Sequence, residues 1–282
     1  MFWKHFNNTL EIHLWKIKAT QNMKKKPFLF IYFIPALMLT LSSCRVQDYP
    51  SNSRPVTHEI WDSLLQEHVS PAGWVDYPGF IQDSSRLNRY LHLLEGNHPN
   101  DKHWSRDERL AYWINAYNAF TVKLIVDHYP VASIKDIKNG IPFVNTVWDI
   151  KFIHIEKATY DLNNIEHGII RPKFNEPRVH FAVNCASVSC PKLSNRAYTA
   201  DKLDEQLTQA ARDFLSDESK NKVSRDKVQL SKIFSWYGGD FKEGGKSIIE
   251  YINQYAPVQA SPDAKIEYLD YNWSLNEQKE GS

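Results

Sequence analysis

The stretch "SRDERLAYWINAYNAFTVKLIVDH", residues 105–128, constrains the fold more than any other part of the chain. Ser105 and Glu108 stand in capping-box spacing, which sets a helix start. Leu110, Trp113, Ile114, Tyr117 and Leu124 then recur at helical intervals, and the positions between them are also heavily apolar. Four more segments read as helices: 57–69, 83–96, 200–217 and 246–256, the last stopped by Pro257. Strand candidates are fewer and short, at 148–155, 178–184, 228–231 and 265–269. There is no regular alternation of the kind a doubly wound sheet requires. The expected architecture is α+β, a single helix-rich domain around a small mixed or antiparallel sheet.

The N-terminal part stands apart from that domain. From Met23 the chain reads "MKKKPFLFIYFIPALMLTLSSC", with three lysines, an apolar run and small residues ahead of Cys44. That is the layout of a secretory signal, and its end resembles a bacterial lipobox, in which the cysteine becomes the lipidated first residue. An uncleaved membrane anchor is the alternative, but the apolar run sits at the short limit for a span and Pro35 interrupts it. Residues 1–22 precede the basic start and read as an overextended gene start. The expected division is therefore a leader at 23–43, a polar, proline-bearing tether at 44–56 and one globular domain over 57–282. Removing residues 1–43 takes away six lysines against one glutamate, so the net charge becomes −4 instead of +1. A mildly acidic body gives no footprint for nucleic acid. Membrane contact is expected through the lipid on Cys44, which places the domain at a cell envelope.

Two further thiols lie in "VHFAVNCASVSCPKL", residues 179–193. A Cys185–Cys190 disulfide would close a tiny loop, worth only about 2 kcal/mol in the chain-entropy model. A zinc site built from Cys185, Cys190 and His167 or His180 has ligand spacing at the wide edge of the usual range, and no evident fourth ligand. The third reading is a nucleophile. If 178–184 is a strand, Cys185 ends it and enters a turn of small residues, where backbone N–H groups would depress the thiol and stabilise an oxyanion. The thiol needs a base, and no histidine follows Cys185. His180 is five residues upstream, an odd separation that on a strand points the two side chains apart. His167 is the favoured base, on a short helix capped by Asp161, with Glu166 expected to pair with Arg171.

Asn115 and Asn118, at i and i+3, share a face of the long helix. Buried amides must find partners, either loop backbone or a catalytic histidine that they orient. Aromatic clusters at 233–241 and 268–276 suit core packing or a groove. Gly238 and Gly239 are expected to make a positive-φ turn that buries Trp236 and Phe241 on one side.

Together these motifs resemble the domain-of-unknown-function 547 family. The resemblance rests on "W-x-N-x-Y-N" at 113–118, "I-E-H" at 165–167 and "V-H-F-A-x-N-C-A-S-x-S-C-P" at 179–191. It continues in "W-Y-x-x-D-F" at 236–241 and "Y-x-W-S-L-N" at 271–276, so that it runs over about 74–276. It implies no settled activity. Bacterial members are often secreted or lipid-anchored, and plant relatives keep a cysteine at the position of Cys185 but carry serine at that of Cys190. The resemblance thus centres the chemistry on Cys185. A distant likeness to papain-like or transglutaminase-like thiol enzymes is implied as well, with histidine and cysteine here in the opposite order.

The function expected from the sequence is a thiol-dependent hydrolase or acyltransferase acting on a peptide-like substrate, with no cofactor. Cys185 is the nucleophile, His167 the base and Asn115 or Asn118 the orienter. His180, Trp113, Trp236 and Arg171 are the candidate binding residues. The alternative is a non-catalytic binding or scaffold domain with an aromatic groove for a protein partner, and a structural disulfide or zinc site.

Overall fold

In the computed structural model the buried backbone of the domain is the long helix anticipated above. It is α4, Arg106–His128, after α1 (Glu59–His68), α2 (Tyr77–Gln82) and α3 (Ser84–Glu95). The structure describes residues 46, 49–138 and 146–278. The leader at 23–43, the residues before it and Cys44 lie outside the described residues. The described residues all belong to one compact unit, and no helix among them is long and apolar enough to cross a membrane.

The capping box of Ser105 and Glu108 is present at the start of α4. Fifteen of its residues are buried, from Leu110 to Ile125, because a helix apolar on all sides is stable only when other elements surround it. The helices α1 and α3 pack beside each other, with Trp61 and Tyr90 stacked at 5.7 Å. The described part of the expected tether lies against this body. Ser53 donates to the His98 carbonyl and accepts from Trp104 Nε1, and Asn100 reaches the Ser53 carbonyl.

The sheets are small, as expected. One is the antiparallel pair β1 (Ile153–Ile155) and β2 (Ala158–Tyr160). The other is mixed: β3 (Lys222–Val223) runs antiparallel to β4 (Lys227–Leu230), which runs parallel to β5 (Lys265–Tyr268). Around the second sheet, α6 (Leu203–Ser216), α7 (Ile233–Trp236), α8 (Gly238–Phe241) and α9 (Ile248–Ile252) enclose a second apolar cluster containing Phe181, Phe214, Phe234 and Phe241. The fold is α+β and helix-rich.

Three local expectations are overturned. Residues 178–184 are not a strand: Pro177 opens a 3₁₀ turn, Pro177–Phe181, and the Glu176 side chain caps it by accepting from the Arg178 N–H. A short apolar run fits either geometry, and here the proline and the cap decide. Residues 148–155 are extended only at their end, in β1. Gly238 and Gly239 form no positive-φ turn; they start α8, which buries Phe241 and leaves Trp236 48% exposed.

Candidate active site

Two short turns bring the site's polar groups together. The first is a π-helical turn, Asn164–Ile170, whose first amide is capped by Asp161 (Asn164 N to Oδ1, 2.5 Å) before the chain continues into α5, Arg171–Phe174. A π turn is uncommon and recurs at functional sites. It buries Glu166 and leaves His167 exposed. The second is the 3₁₀ turn that carries His180. His180, Val183 and Cys185 all line one cleft. The argument that put His180 and Cys185 on opposite faces depended on a strand that does not form.

That cleft has a volume of about 300 Å³. Its rim and walls are aromatic, with Trp148, Trp236, Tyr237, Tyr271 and Trp273 facing it. Tyr271 and Trp273 lie 4.5 Å apart, Trp236 lies 4.8 Å from Tyr271, and Lys135 sits over the Trp273 ring at 4.9 Å. The polar floor is formed by Cys185, Cys190, His180, His167, Glu166 and Asn163.

Cys185 is half-buried, and its sulfur has three side-chain partners. Cys190 Sγ is at 2.9 Å, Ser187 Oγ at 3.3 Å and Tyr271 Oη at 3.3 Å. The hydrogen bond from Cys190 is the main influence holding the Cys185 thiol below its ordinary pKa. Burial opposes it, and the Ser187 and Tyr271 hydroxyls add to it. Burial instead pushes the Cys190 thiol well up, and the neighbouring Cys185 adds to that rise. Both cysteines are free thiols, and they are not equivalent. The turn's amides are already committed: Cys185 N–H donates to Cys190 Sγ at 2.9 Å and Ala186 N–H to Asn184 Oδ1 at 2.9 Å. The thiol is therefore tuned by side-chain donors, not by the backbone nest expected from the sequence.

The two histidines differ in how their nitrogens are used. His167 Nδ1 accepts from the Arg171 guanidinium at 2.9 Å. Arginine can only donate, so a neutral His167 carries its proton on Nε2 and offers no second lone pair. His180 has the opposite arrangement. Its Nε2 bonds to Asp240 Oδ2 at 2.8 Å, and its Nδ1 is buried without a hydrogen-bond partner among the described residues. Burial works against the Asp240 charge, but Arg171 and then His180 hold its carboxyl well below the ordinary carboxylate range. An ionised carboxylate accepts, so a neutral His180 carries its proton on Nε2 and its lone pair on Nδ1. Arg171 fixes Asp240 with two bonds, Nε to Oδ2 at 2.6 Å and Nη2 to Oδ1 at 2.8 Å. Tyr237 stacks on the His180 ring at 3.9 Å. Burial, and then the charge of Glu166, push the Tyr237 phenol up, so it stays protonated.

The remaining candidates from the sequence have different places. Asn115 gives its amide to the Tyr198 carbonyl at 2.7 Å and accepts from the Tyr198 N–H at 3.0 Å. Asn118 spans the Ala182 carbonyl (2.9 Å) and the Asn184 N–H (2.8 Å). Both amides thus clamp backbone and neither orients a histidine. Trp113 is buried against His98 and Tyr160 and does not line the cleft. Trp236 does line it. Arg171 does not face the cleft either, and it pairs with Asp240, where Glu166 was the expected partner. Cys185, Cys190 and His167 do not converge on a three-ligand site. Among the described residues the one such cluster is Glu67, His68 and Asp83, whose carboxylates are already paired with Arg86. No hydrogen bond joins Cys185 to a histidine among the described residues.

Sequence reasoning missed Asp240, Tyr237, Tyr271, Trp273 and Trp148. A signal existed for the first: Asp240 is the one carboxylate in the aromatic run 233–241.

The fold and the site define a helix-rich α+β domain with a tuned thiol in an aromatic cleft. Residues 102–215 match the model of the family described as "Protein of unknown function, DUF547". The match is shorter than the 74–276 suggested by the motifs. It holds Cys185, Cys190, His167 and His180, while Tyr237, Asp240 and Tyr271 lie beyond it. No curated protein and no solved structure matches the chain.

Proposed function

We propose that the protein is a cysteine-dependent acyl-transferring enzyme, a hydrolase or acyltransferase, in which Cys185 is the nucleophile and His180 the base. One observation carries this reading: His180 is held by Asp240 in the tautomer whose free nitrogen, Nδ1, is the lone-pair nitrogen, and it lines the same cleft as Cys185. Arg171 positions Asp240, and Tyr237 fixes the ring from above. His167, the base expected from the sequence, presents Nε2–H and serves better as a donor at the cleft mouth.

In the reaction His180 Nδ1 takes the Cys185 proton, directly after a rotation of the thiol or through one water. The thiolate attacks the acyl carbon, and the C–N or C–O bond to the leaving group breaks as His180 returns the proton to it. Water or an amine then takes the acyl group from sulfur. The aromatic walls favour a peptide-like substrate with an apolar or aromatic side group beside the scissile bond. This reading rests on the cleft geometry and not on the distant likeness to papain-like or transglutaminase-like enzymes. It is compatible with a domain anchored at a cell envelope through lipid on Cys44, which loss of fatty-acid labelling in Cys44→Ser would test.

The test of the site is covalent trapping with an activated ester of an aromatic acid, followed by intact mass and peptide mapping. The expected result is one acyl adduct on Cys185, absent in Cys185→Ser and formed far more slowly in His180→Ala. Adduct formation at an unchanged rate in His180→Ala overturns the assignment of the base. No adduct on Cys185 overturns the enzyme reading.

A further inference from the structure

Cys190 forms and breaks no bond in the acyl chemistry beyond its hydrogen bond to the nucleophile, against which the loop holds it. Asn184 ties the two ends of that loop, donating to the Pro191 carbonyl at 2.7 Å and accepting from Ala186 N–H. Ala186 adopts φ +56°, a left-handed conformation that costs energy in a residue with a Cβ and persists only where its surroundings impose it. The loop also directs the Cys185 N–H onto Cys190 Sγ. The result is two free sulfurs 2.9 Å apart, against about 2.05 Å for a disulfide bond. Both line the cleft, and Cys185 is the more exposed of the two: it is half-buried, whereas Cys190 is 4% exposed.

We propose that Cys190 is the resolving thiol of a reversible oxidation at Cys185, in which a hydroperoxide oxidises Cys185 to a sulfenic acid that Cys190 converts to an intramolecular disulfide. The inference adds regulation to the acyl-transfer reading and rests on that reading for its consequence, the silencing of the nucleophile. The Cys185 thiolate attacks one peroxide oxygen and the O–O bond breaks. The other oxygen leaves with a proton as water or an alcohol, the sulfur is oxidised by two electrons and the peroxide is reduced. Cys190 sulfur then attacks Cys185 sulfur, the S–O bond breaks, and the departing hydroxide takes the Cys190 proton to leave as water. An external dithiol reverses the change. It attacks the more exposed Cys185 sulfur, Cys190 leaves and is protonated, and the second thiol of the reductant closes its own disulfide to release Cys185.

The chemistry suits the asymmetry of the pair. The thiol held below its ordinary pKa is the more exposed one. The one pushed up by burial stays protonated, as a donor to Cys185, until a sulfenic acid forms beside it.

The experiment uses the full, reduced chain treated with stoichiometric hydrogen peroxide, alkylated and mapped by mass. The peptide carrying both cysteines is expected to lose two hydrogens and resist alkylation, and dithiothreitol should restore both thiols. In Cys190→Ser, Cys185 should gain two or more oxygens instead. Sulfinic acid on Cys185 of the unmodified chain, with Cys190 still open to alkylation, overturns the proposal, and this arm needs no variant to fold. Acyl labelling of the reduced protein is run in parallel. Adducts on Cys185 without any disulfide defeat the redox inference alone. A disulfide without adducts defeats the acyl-transfer reading and leaves the oxidation itself standing.

Discussion

The π-helical turn Asn164–Ile170 and the 3₁₀ turn Pro177–Phe181 each deliver one histidine to the same ring, and the two histidines end in opposite states. His167 stacks on Tyr237 at 6.1 Å and His180 at 3.9 Å. The first is exposed and meets a cation at Nδ1; the second is buried and meets a carboxylate at Nε2. A histidine's role is set by what holds its other nitrogen. Here one network, running from His167 through Arg171 and Asp240 to His180, fixes both tautomers at once.

The largest effect that would break this comparison comes from removing each imidazole in turn. His180→Ala is expected to slow acylation of Cys185 on the order of 10³-fold, while His167→Ala slows it by less than about 10-fold. Stopped-flow measurement of the adduct decides between them, and equal losses would end the distinction.

Next is Asp240→Asn, which should cost on the order of 10²-fold by freeing the His180 tautomer. It also has a stability signature. The Asp240 carboxyl is held below its ordinary range, so its contribution is complete above the ordinary carboxylate pKa of about 3.9 and is lost as pH falls toward the lower folded value. The Tm of the unmodified protein should therefore fall more steeply on acidification below about pH 4 than that of Asp240→Asn. Parallel melting curves for the two would show that Asp240 is not charged in the way described.

The two helix amides sharpen the same contrast between clamping and chemistry. Asn115→Ala and Asn118→Ala each leave one carbonyl and one N–H buried without partners, and each should cost about 1–3 kcal/mol in denaturant unfolding. Only Asn118→Ala should also slow acylation of the folded protein, because its partners are the backbone leading into Cys185. If Asn115→Ala slows it equally, the effect of Asn118 is not local.

The smallest expected effect is a shift in a titration. Cys190→Ala removes the main donor to the Cys185 thiolate, so the pH midpoint for alkylation of Cys185 should move up toward the ordinary cysteine value. An unmoved midpoint would leave Ser187 and Tyr271 as the groups that tune the thiol.

Much of the fold was legible because helix signals are local. The Ser105–Glu108 box and the apolar spacing of α4 depend on residues within a turn or two of one another, and they appear in the structure where expected. The strand expected at 178–184 failed for the same reason in reverse, since its apolar run carried no period that excludes a 3₁₀ turn. The thiol was legible as chemistry, and its inequivalence to Cys190 was as well. The place of His180 was not: with a strand assumed it pointed away from Cys185, whereas the 3₁₀ turn sets it in the same cleft. Asp240, 60 residues beyond His180, carries no local mark of the partner it meets.

The sequence by itself determined the long capped helix, the α+β class and the pair of thiols in a loop of small residues, because propensity, capping and composition act over a few residues. Tertiary structure alone decided which histidine keeps a free lone pair, which thiol is depressed and which amides are merely clamps. Those properties depend on hydrogen bonds and burial between segments far apart in the chain. A tautomer or a thiol pKa belongs to such an arrangement and not to any one residue within it.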